Sequence, residues 1–464
     1  MRVLLVSHRF PPDGVAGVER YTQALAAELP RGGDAVAVVA RRWAADPPVP
    51  ALTRERLPDG TAIYRFVGGG APDLGDFLRH CGQLERLFTT AVLEAAPDVV
   101  HVNHLLGLPP RLPEIARRLG AAVVLSLHDF YPACPLVHLQ KPGGELCRGP
   151  DGGRECARTC FAGDGPGGAV RWGLRAAYFR GLLGLADRVV CYSRYVARYF
   201  EGYGLDPARL RVIPHGVPEG LVRPAGPAVR APARPGELSL AYCGTVVTHK
   251  GLHVILEALR VAGLGRVVLR LVGHAPDESH VRRYVEGLRR QAAEIPGVRL
   301  EVHGAYEPHE LPGLLADTDC VVVPSLVPET GGLVPREALA LGIPVLVSRL
   351  GALPELVAEG GNGFTFDPHR PAELAARLRR LASDGGLLAR LRDGARRTPV
   401  VTTARHAADV RAVYQEALDE VQSGRGPVPD VPGLLALHHT LGRADELVRR
   451  TVGRDAATAN AMRG

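Results

Sequence analysis

PSLVPETGGLVPREALALGIPVLVS, residues 324–348, is the stretch on which the reading of this chain turns. It leaves the apolar run Cys320–Val323 and closes on another, Pro344–Val347. Between them come Gly331, Gly332 and a helical pattern from near Val334. Pro335 suits only the first turn of that helix, where its missing N–H costs nothing. Glycines ahead of the turn leave backbone N–H groups open, and the helix dipole favours an anion there, so the place suits a phosphate. Glu329 precedes this anion site and Glu337 lies in the helix's opening turns. The two carboxylates can flank a bound diphosphate and accept hydrogen bonds from sugar hydroxyls on one side and ribose hydroxyls on the other. Taken locally, the same residues also read as a glycine-rich loop with two surface glutamates.

Outward from this stretch, short apolar runs alternate with helical patterns, as in a parallel α/β sheet. The first half carries Val3–Val6, Ala35–Ala40, Val99–Val102, Ala122–Leu127, Arg188–Tyr192 and Leu210–Ile213. A second series runs through Leu238–Cys243, Val267–Val272, Val298–Val302, Cys320–Val323, Pro344–Val347 and Gly363–Phe366. These runs are nearly continuous in Val, Leu and Ala, as strands buried on both faces should be. Residues 223–236, RPAGPAVRAPARPG, read as a linker between two domains. The expected organisation is 1–222 for an N-terminal domain and 237–400 for a C-terminal one. A helix at 401–422 packs back on the body, and 423–464 form a tail. Two Rossmann-like domains with parallel sheets facing each other across a cleft are the expected fold, with ligands beyond the strands' carboxyl ends.

Composition fits that expectation. A chain of 464 residues exceeds what one core usually serves. No apolar run reaches the ~18 residues of a membrane span. The opening MRVLLVSHRFPP leads into a strand rather than a signal peptide, so a cytoplasmic protein is expected. The net charge of +7 fits a phosphate-bearing partner or simply arginine-rich solvated faces; no nucleic-acid role is expected. Lys141 and Lys250 are the only lysines among 56 basic residues, which draws attention to Lys250.

The segment Glu329–Glu337 resembles the E-x7-E motif of the retaining GT-B glycosyltransferases of family 4. Resemblance implies that Glu329 contacts the donor sugar's hydroxyls, Glu337 the ribose, and the amides of Gly332 and Leu333 the diphosphate. The family usually carries an aromatic or similar residue where this chain has Gly331. LSLAYCGTVVTHKGLHVILEAL, residues 238–259, resembles the family's strand–loop–helix whose glycine, Gly244, approaches the donor and whose lysine, Lys250, meets its phosphates. The family commonly has Arg beside that glycine; here it is Thr245, so phosphate neutralisation leans on Lys250 and the backbone. In the first domain, PPDGVAGVERYTQALAAEL (residues 11–29) resembles the glycine loop and helix, with Ala16 for the first Gly and Gly17 for the second. LSLHDF (residues 125–130) places His128 after a strand, where the family's His bonds the donor sugar. VIPHGV (residues 212–217) and GALPELV (residues 351–357) match further family segments. The resemblance spans roughly residues 1–420 and implies transfer with retention, no catalytic cofactor, and a nucleotide-sugar donor. The donor's base and sugar, the acceptor and the oligomeric state stay open.

Cys134, Cys147, Cys156 and Cys160 crowd one Gly- and Pro-rich stretch, for which a closed structural zinc site is one reading and free thiols the other. The segment 171–189, rich in Arg and aromatics, reads as a core helix, with peripheral membrane contact as the lesser reading. DTD at 317–319 reads as a strand-start feature rather than a metal motif. A dehydrogenase would need G-x-G-x-x-G after its first strand, which neither domain has. An epimerase or phosphorylase on the same fold, and a non-catalytic sugar-binding scaffold, are the competing functions.

Overall fold

A computed structural model describes residues 1–71, 80–222, 237–424, 436–437 and 440–444. The expected linker 223–236 and most of the tail lie outside the described residues. The chain divides into two compact units, Met1–Ile213 with the chain from His406 onward, and Pro214–Arg405.

The first unit is an eight-stranded sheet in the order β3-β4-β2-β1-β5-β6-β7-β8. Its strands are β1 (Arg2–Val6), β2 (Ala35–Arg42), β3 (Ala51–Arg56), β4 (Ala62–Val67), β5 (Val99–Val102), β6 (Ala122–Leu127), β7 (Arg188–Cys191) and β8 (Leu210–Val212). All pairings are parallel except β3 with β4. The apolar runs read from the sequence are β1, β2 and β5 to β8, the last of them an edge strand, and β5 and β6 are buried along their whole length. Reading by apolar runs passes over β3 and β4. Strand β3, ALTRER, is largely exposed at the sheet edge, so it has no apolar run to betray it. The helix Thr403–Gln422 closes this unit's core through Val410, Val413, Tyr414 and Ala417. Tyr414 OH lies 2.7 Å from Nδ1 of the buried His101, tying the end of the chain to β5.

The second unit is a six-stranded parallel sheet in the order β11-β10-β9-β12-β13-β14. Its strands are β9 (Glu237–Cys243), β10 (Arg266–Val272), β11 (Val298–His303), β12 (Cys320–Val323), β13 (Val345–Ser348) and β14 (Gly363–Phe366). In each sheet one strand has its sequence neighbour on one side and a later strand on the other. For the first unit this is β1, between β2 and β5; for the second it is β9, between β10 and β12. At such a switch point the loops leave in opposite directions and open a crevice at the carboxyl ends, where α/β proteins bind ligands.

The segment read as a core helix is Gly168–Leu183, with Trp172, Tyr178 and Phe179 each 1% exposed. Arg171 and Arg175 are buried with them, and Trp172 Nε1 donates to Asp164 at 3.0 Å. That aromatic face is inside the unit. Among the described residues no helix is long and apolar enough to cross a membrane. Asp319 of the DTD stretch accepts from the Ser239 backbone at 2.7 Å and pairs with Arg392. It fastens β12 to β9.

Candidate functional site

In the second unit the switch point falls between the loops that follow β9 and β12. Gly244 leaves β9 with φ +125°, a conformation that favours glycine. A Cβ on Gly273, which follows β10, would sit 1.9 Å from the Gly244 carbonyl oxygen, so the two loops touch backbone to backbone. Thr245 follows, its carbonyl taking a 2.6 Å hydrogen bond from Tyr242. The short turn Thr248–Lys250 then ends on Gly251, at φ +74°. A Cβ on Gly251 would stand 2.1 Å from the Pro324 carbonyl oxygen. The amide of Leu326 also donates to the His249 carbonyl at 2.9 Å. Glycine at 251 therefore lets the lysine-bearing turn lie directly on the loop after β12.

That contact sets the central pair. Lys250 Nζ lies 2.6 Å from Glu329 Oε1, and the Ser325 hydroxyl donates to the same oxygen. Glu329 is only 20% exposed and Lys250 29%. Burial would raise the Glu329 carboxyl, but the Lys250 charge and the two hydrogen bonds outweigh it and hold it below the usual carboxylate range. The loop carrying Glu329 is gripped from behind by GALPELV: Ala352 N donates to the Glu329 carbonyl at 2.8 Å. Gly351 packs so closely that a Cβ would fall 2.4 Å from the Glu329 backbone.

The helix that follows spans Leu333–Ala340, with Gly332 as its N-cap at φ +64° and no side-chain cap. Its first N–H groups thus lack the usual intrahelical partners. Pro335 sits in the first turn, as the sequence implies, and Gly331 is buried beside the cap. Glu337 is half-buried on the same helix, near enough to the end of β9 that, after burial, its charge helps push the Cys243 thiol up. The structure thus gathers Gly244, Thr245, Lys250, Glu329, Gly331, Gly332, Leu333 and Glu337 along the carboxyl end of one sheet.

Ser325 and Arg336 also belong to this place, although the sequence patterns do not single them out. Arg336 Nε donates to the Gly331 carbonyl at 3.1 Å, which folds the guanidinium back over the helix's open end. Burial brings its pKa down to about 10, with the charge of Glu355 only partly offsetting it. The available signal is an arginine next to Glu337 inside the otherwise uncharged helix LVPREALA.

In the first unit, Gly17 is the exposed first residue of the helix Gly17–Glu28. His128 stands one residue beyond β6, with Nε2 2.9 Å from the Tyr192 hydroxyl and its ring 4.5 Å from that of Tyr21. Neither belongs to the compact unit that carries Lys250 and Glu329.

The four clustered cysteines line one small cavity with Leu136, Leu139 and Phe161. Their character there differs from the zinc reading. None of the four is in a disulfide, and Cys134, Cys156 and Cys160 are buried parts of the unit's hydrophobic core. Burial, with the neighbouring thiols, pushes the Cys156 thiol up to about 12 and Cys160 to about 11. Among the described residues no group of three or more His, Cys, Asp or Glu is arranged to hold a metal ion. The geometry therefore does not support a structural zinc, and the cluster reads as small core residues.

Known proteins match most of the length of this architecture. The sequence model described as Glycosyltransferase Family 4 matches residues 15–220, and that of Glycosyl transferases group 1 matches residues 230–398. The chain is 30% identical over 452 residues to D-inositol 3-phosphate glycosyltransferase 1 of Catenulispora acidiphila, covering 89% of this chain and 98% of that one. It is 29% identical over 456 residues to D-inositol 3-phosphate glycosyltransferase of Acidothermus cellulolyticus, covering 88% and 91%. Among solved structures, sucrose-phosphate synthase from Thermosynechococcus elongatus superposes with a TM-score of 0.68 at 20% identity, covering 90% of this chain and 99% of that one. Anabaena HepE, in complex with UDP and glucose, superposes at 0.62 and 18% identity, covering 89% and 99%. The chain belongs to glycosyltransferase family 4 and is a GT-B glycosyltransferase of two Rossmann-like domains.

Proposed function

We propose that this enzyme moves a hexose from a nucleoside diphosphate sugar to a hydroxyl-bearing acceptor, with retention at the anomeric carbon. The observation that carries this reading is the 2.6 Å pair of Lys250 and Glu329 beside the uncapped helix Leu333–Ala340. Before a donor binds, each neutralises the other. A diphosphate arriving at the helix mouth takes over the lysine, and Glu329 is released to accept hydrogen bonds from the sugar's hydroxyls. Glu337 takes the ribose hydroxyls, and the amides of Gly332 and Leu333 point at the phosphate oxygens. Gly244 and Gly331 admit the donor close to backbone, with Thr245 beside it. Gly17 and His128 of the first unit enter this reading through the family resemblance alone.

The bond that breaks joins the anomeric carbon to the diphosphate oxygen, and the bond that forms joins the same carbon to the acceptor oxygen. The leaving diphosphate takes the acceptor's proton. Charge growing on it is met by Lys250, Arg336 and the helix dipole, groups already in place before reaction. Carboxylate nucleophile and metal are both unnecessary in this scheme. The relatives' named acceptor, D-inositol 3-phosphate, adds a cyclitol to the cell-wall, lipid-linked and secondary-metabolite acceptors open to this chain. Eight cysteines held as thiols agree with a reducing, cytoplasmic setting.

A thermal-shift screen of UDP-, GDP- and ADP-sugars, followed by transfer assays with the best binder, tests the reading. At least one should raise the melting temperature by several degrees; stabilisation by none would reject it. Arg336→Met gives a more pointed result. A cation held below its normal pKa by burial costs stability, so its removal should leave the melting temperature unchanged or higher. The same change deletes a charged partner of the diphosphate and should raise the donor KM by about tenfold. An unaltered KM would place Arg336 outside the donor site.

A further inference from the structure

His128 is the half-buried end of a hydrogen-bonded line whose other members lie inside the first unit. Its Nε2 is 2.9 Å from the hydroxyl of Tyr192, which follows β7 and is fully buried. Tyr192 and Tyr21 hydrogen-bond to one another, with their rings 5.4 Å apart and edge to face. The Tyr21 hydroxyl, carried by the helix Gly17–Glu28, is in turn 3.1 Å from Nε2 of His406. His406 is 3% exposed and stands where the chain re-enters the first unit on the helix Thr403–Gln422. His128, Tyr192, Tyr21 and His406 thus come from four separate parts of the chain to make one line.

Proton counting constrains this line. Its three hydrogen bonds need three protons, and each phenol brings one. Burial pushes both phenols up, so neither gives its proton away. The third proton has to come from an imidazole. His128 and His406 therefore cannot both present a bare Nε2: where one accepts, the other donates. The tautomer of His128 is in this way tied to a ring at the other end of the line.

Neighbouring groups brace the line from the side. Ser126 of β6 hydrogen-bonds with both phenols and lies 2.7 Å from Nε2 of His101. Burial, and then the neighbouring His406, brings His101 down to about 3, so its ring is neutral. Tyr414 occupies the other nitrogen of His101 at 2.7 Å. Packing holds the His128 ring as well: Tyr21 meets it edge-on at 4.5 Å, and Tyr192 lies 4.5 Å away at a tilt of 35°. Apolar groups of the same shape would fill this part of the core at little or no cost in stability. What the hydroxyls and the imidazole of His406 add is a fixed setting for the one member that solvent reaches.

We infer that Tyr192, Tyr21 and His406 are positioning residues for the transfer: they hold the His128 ring and fix which of its nitrogens carries the proton. This rests on the transferase reading, in which His128 bonds the donor sugar, and deepens it by naming the groups that set that histidine. A ring free to turn or to change tautomer would meet the sugar in the right state only part of the time, which lowers kcat more than it weakens binding.

The test reads the ring directly and then the turnover. In the full chain carrying nitrogen-labelled histidine, long-range proton–nitrogen correlation NMR shows which imidazole nitrogens are protonated, and His128→Ala identifies the signals of that ring among 17 histidines. Tyr21→Phe keeps the ring that packs on His128 and removes the hydroxyl that joins Tyr192 to His406. It should change the His128 nitrogen pattern, as should Tyr192→Phe, and each should lower kcat by about ten- to 100-fold with the donor KM within about twofold. Tyr203→Phe is the control, since it removes a half-buried hydroxyl bonded to the Ala176 carbonyl at 3.1 Å in the same unit. It should lower the melting temperature alone, leaving kcat and the His128 signals as they are. On top of His128→Ala, the two tyrosine substitutions should cost no further activity, because their effect passes through that ring. Unchanged His128 signals in both tyrosine variants, or losses that persist undiminished on top of His128→Ala, overturn the inference. Full activity of His128→Ala removes that histidine from the mechanism and the inference with it, while a nucleotide sugar that still raises the melting temperature leaves the donor site standing.

Discussion

Lys250→Ala should lower kcat/KM for transfer by about 100- to 1,000-fold, the range expected when one preplaced stabiliser of developing charge is removed. The fold should survive. Lys250 and Glu329 are 29% and 20% exposed, so the pair is partly screened by solvent and contributes modestly to stability. Ser325 continues to donate to Glu329 in the variant's loop, and the Gly351 contact behind that loop is untouched. Melting temperature should therefore move by no more than a few degrees while turnover collapses. Lys250→Arg should recover little, because a planar fork cannot occupy the position of a compact ammonium held 2.6 Å from one carboxylate oxygen. Steady-state kinetics with the best nucleotide sugar, beside a thermal melt, distinguish this from a folding defect. A Lys250→Ala enzyme with more than a tenth of the wild-type kcat/KM would remove the lysine from the mechanism.

Gly251→Ala should damage both stability and activity, and Gly263→Ala provides its control. Both glycines have positive φ, +74° and +61°, so both substitutions incur the left-handed penalty of about 1 kcal/mol. Their surroundings differ. A Cβ at 263 meets nothing within 4 Å, whereas at 251 it lands 2.1 Å from the Pro324 carbonyl oxygen. Backbone has to move in the second case, and the piece that moves carries Lys250. We expect Gly251→Ala to lose about 2–4 kcal/mol in chemical denaturation and at least 100-fold in kcat/KM. Gly263→Ala should lose about 1 kcal/mol with normal kinetics. Equal behaviour of the two variants would mean that the close approach at Pro324 does not position the lysine.

Legibility is unequal along the chain. The runs Val99–Val102 and Cys320–Val323 declare themselves as strands because both faces are buried and every position can be apolar. ALTRER does not, since an exposed edge strand keeps its polar residues. Gly332 and Pro335 announce a helix N-terminus through backbone constraints that operate locally. Arg336 gives no such notice, because its importance lies in a contact with Gly331 and in burial, neither of which a helical pattern encodes. The cysteines are a related case: spacing suggests ligands, but a metal site also needs convergent geometry, and among the described residues no group of three or more His, Cys, Asp or Glu is arranged to hold a metal ion.

The sequence by itself determined the two α/β sheets, the glycine-capped helix start after β12 and the carboxylates flanking it. All of these follow from periodicity, glycine and proline placement over a few residues. Only the tertiary structure decided that Lys250, 79 positions away, meets Glu329, that Thr403–Gln422 completes the first unit's core, and that Glu19 Oε2 and Asn103 Oδ1 are buried without a hydrogen-bond partner. Such facts depend on which loops a sheet's strand order brings side by side and on what remains unpaired once they pack. No local pattern carries that information, because hydrogen-bond satisfaction and desolvation are properties of the assembled neighbourhood.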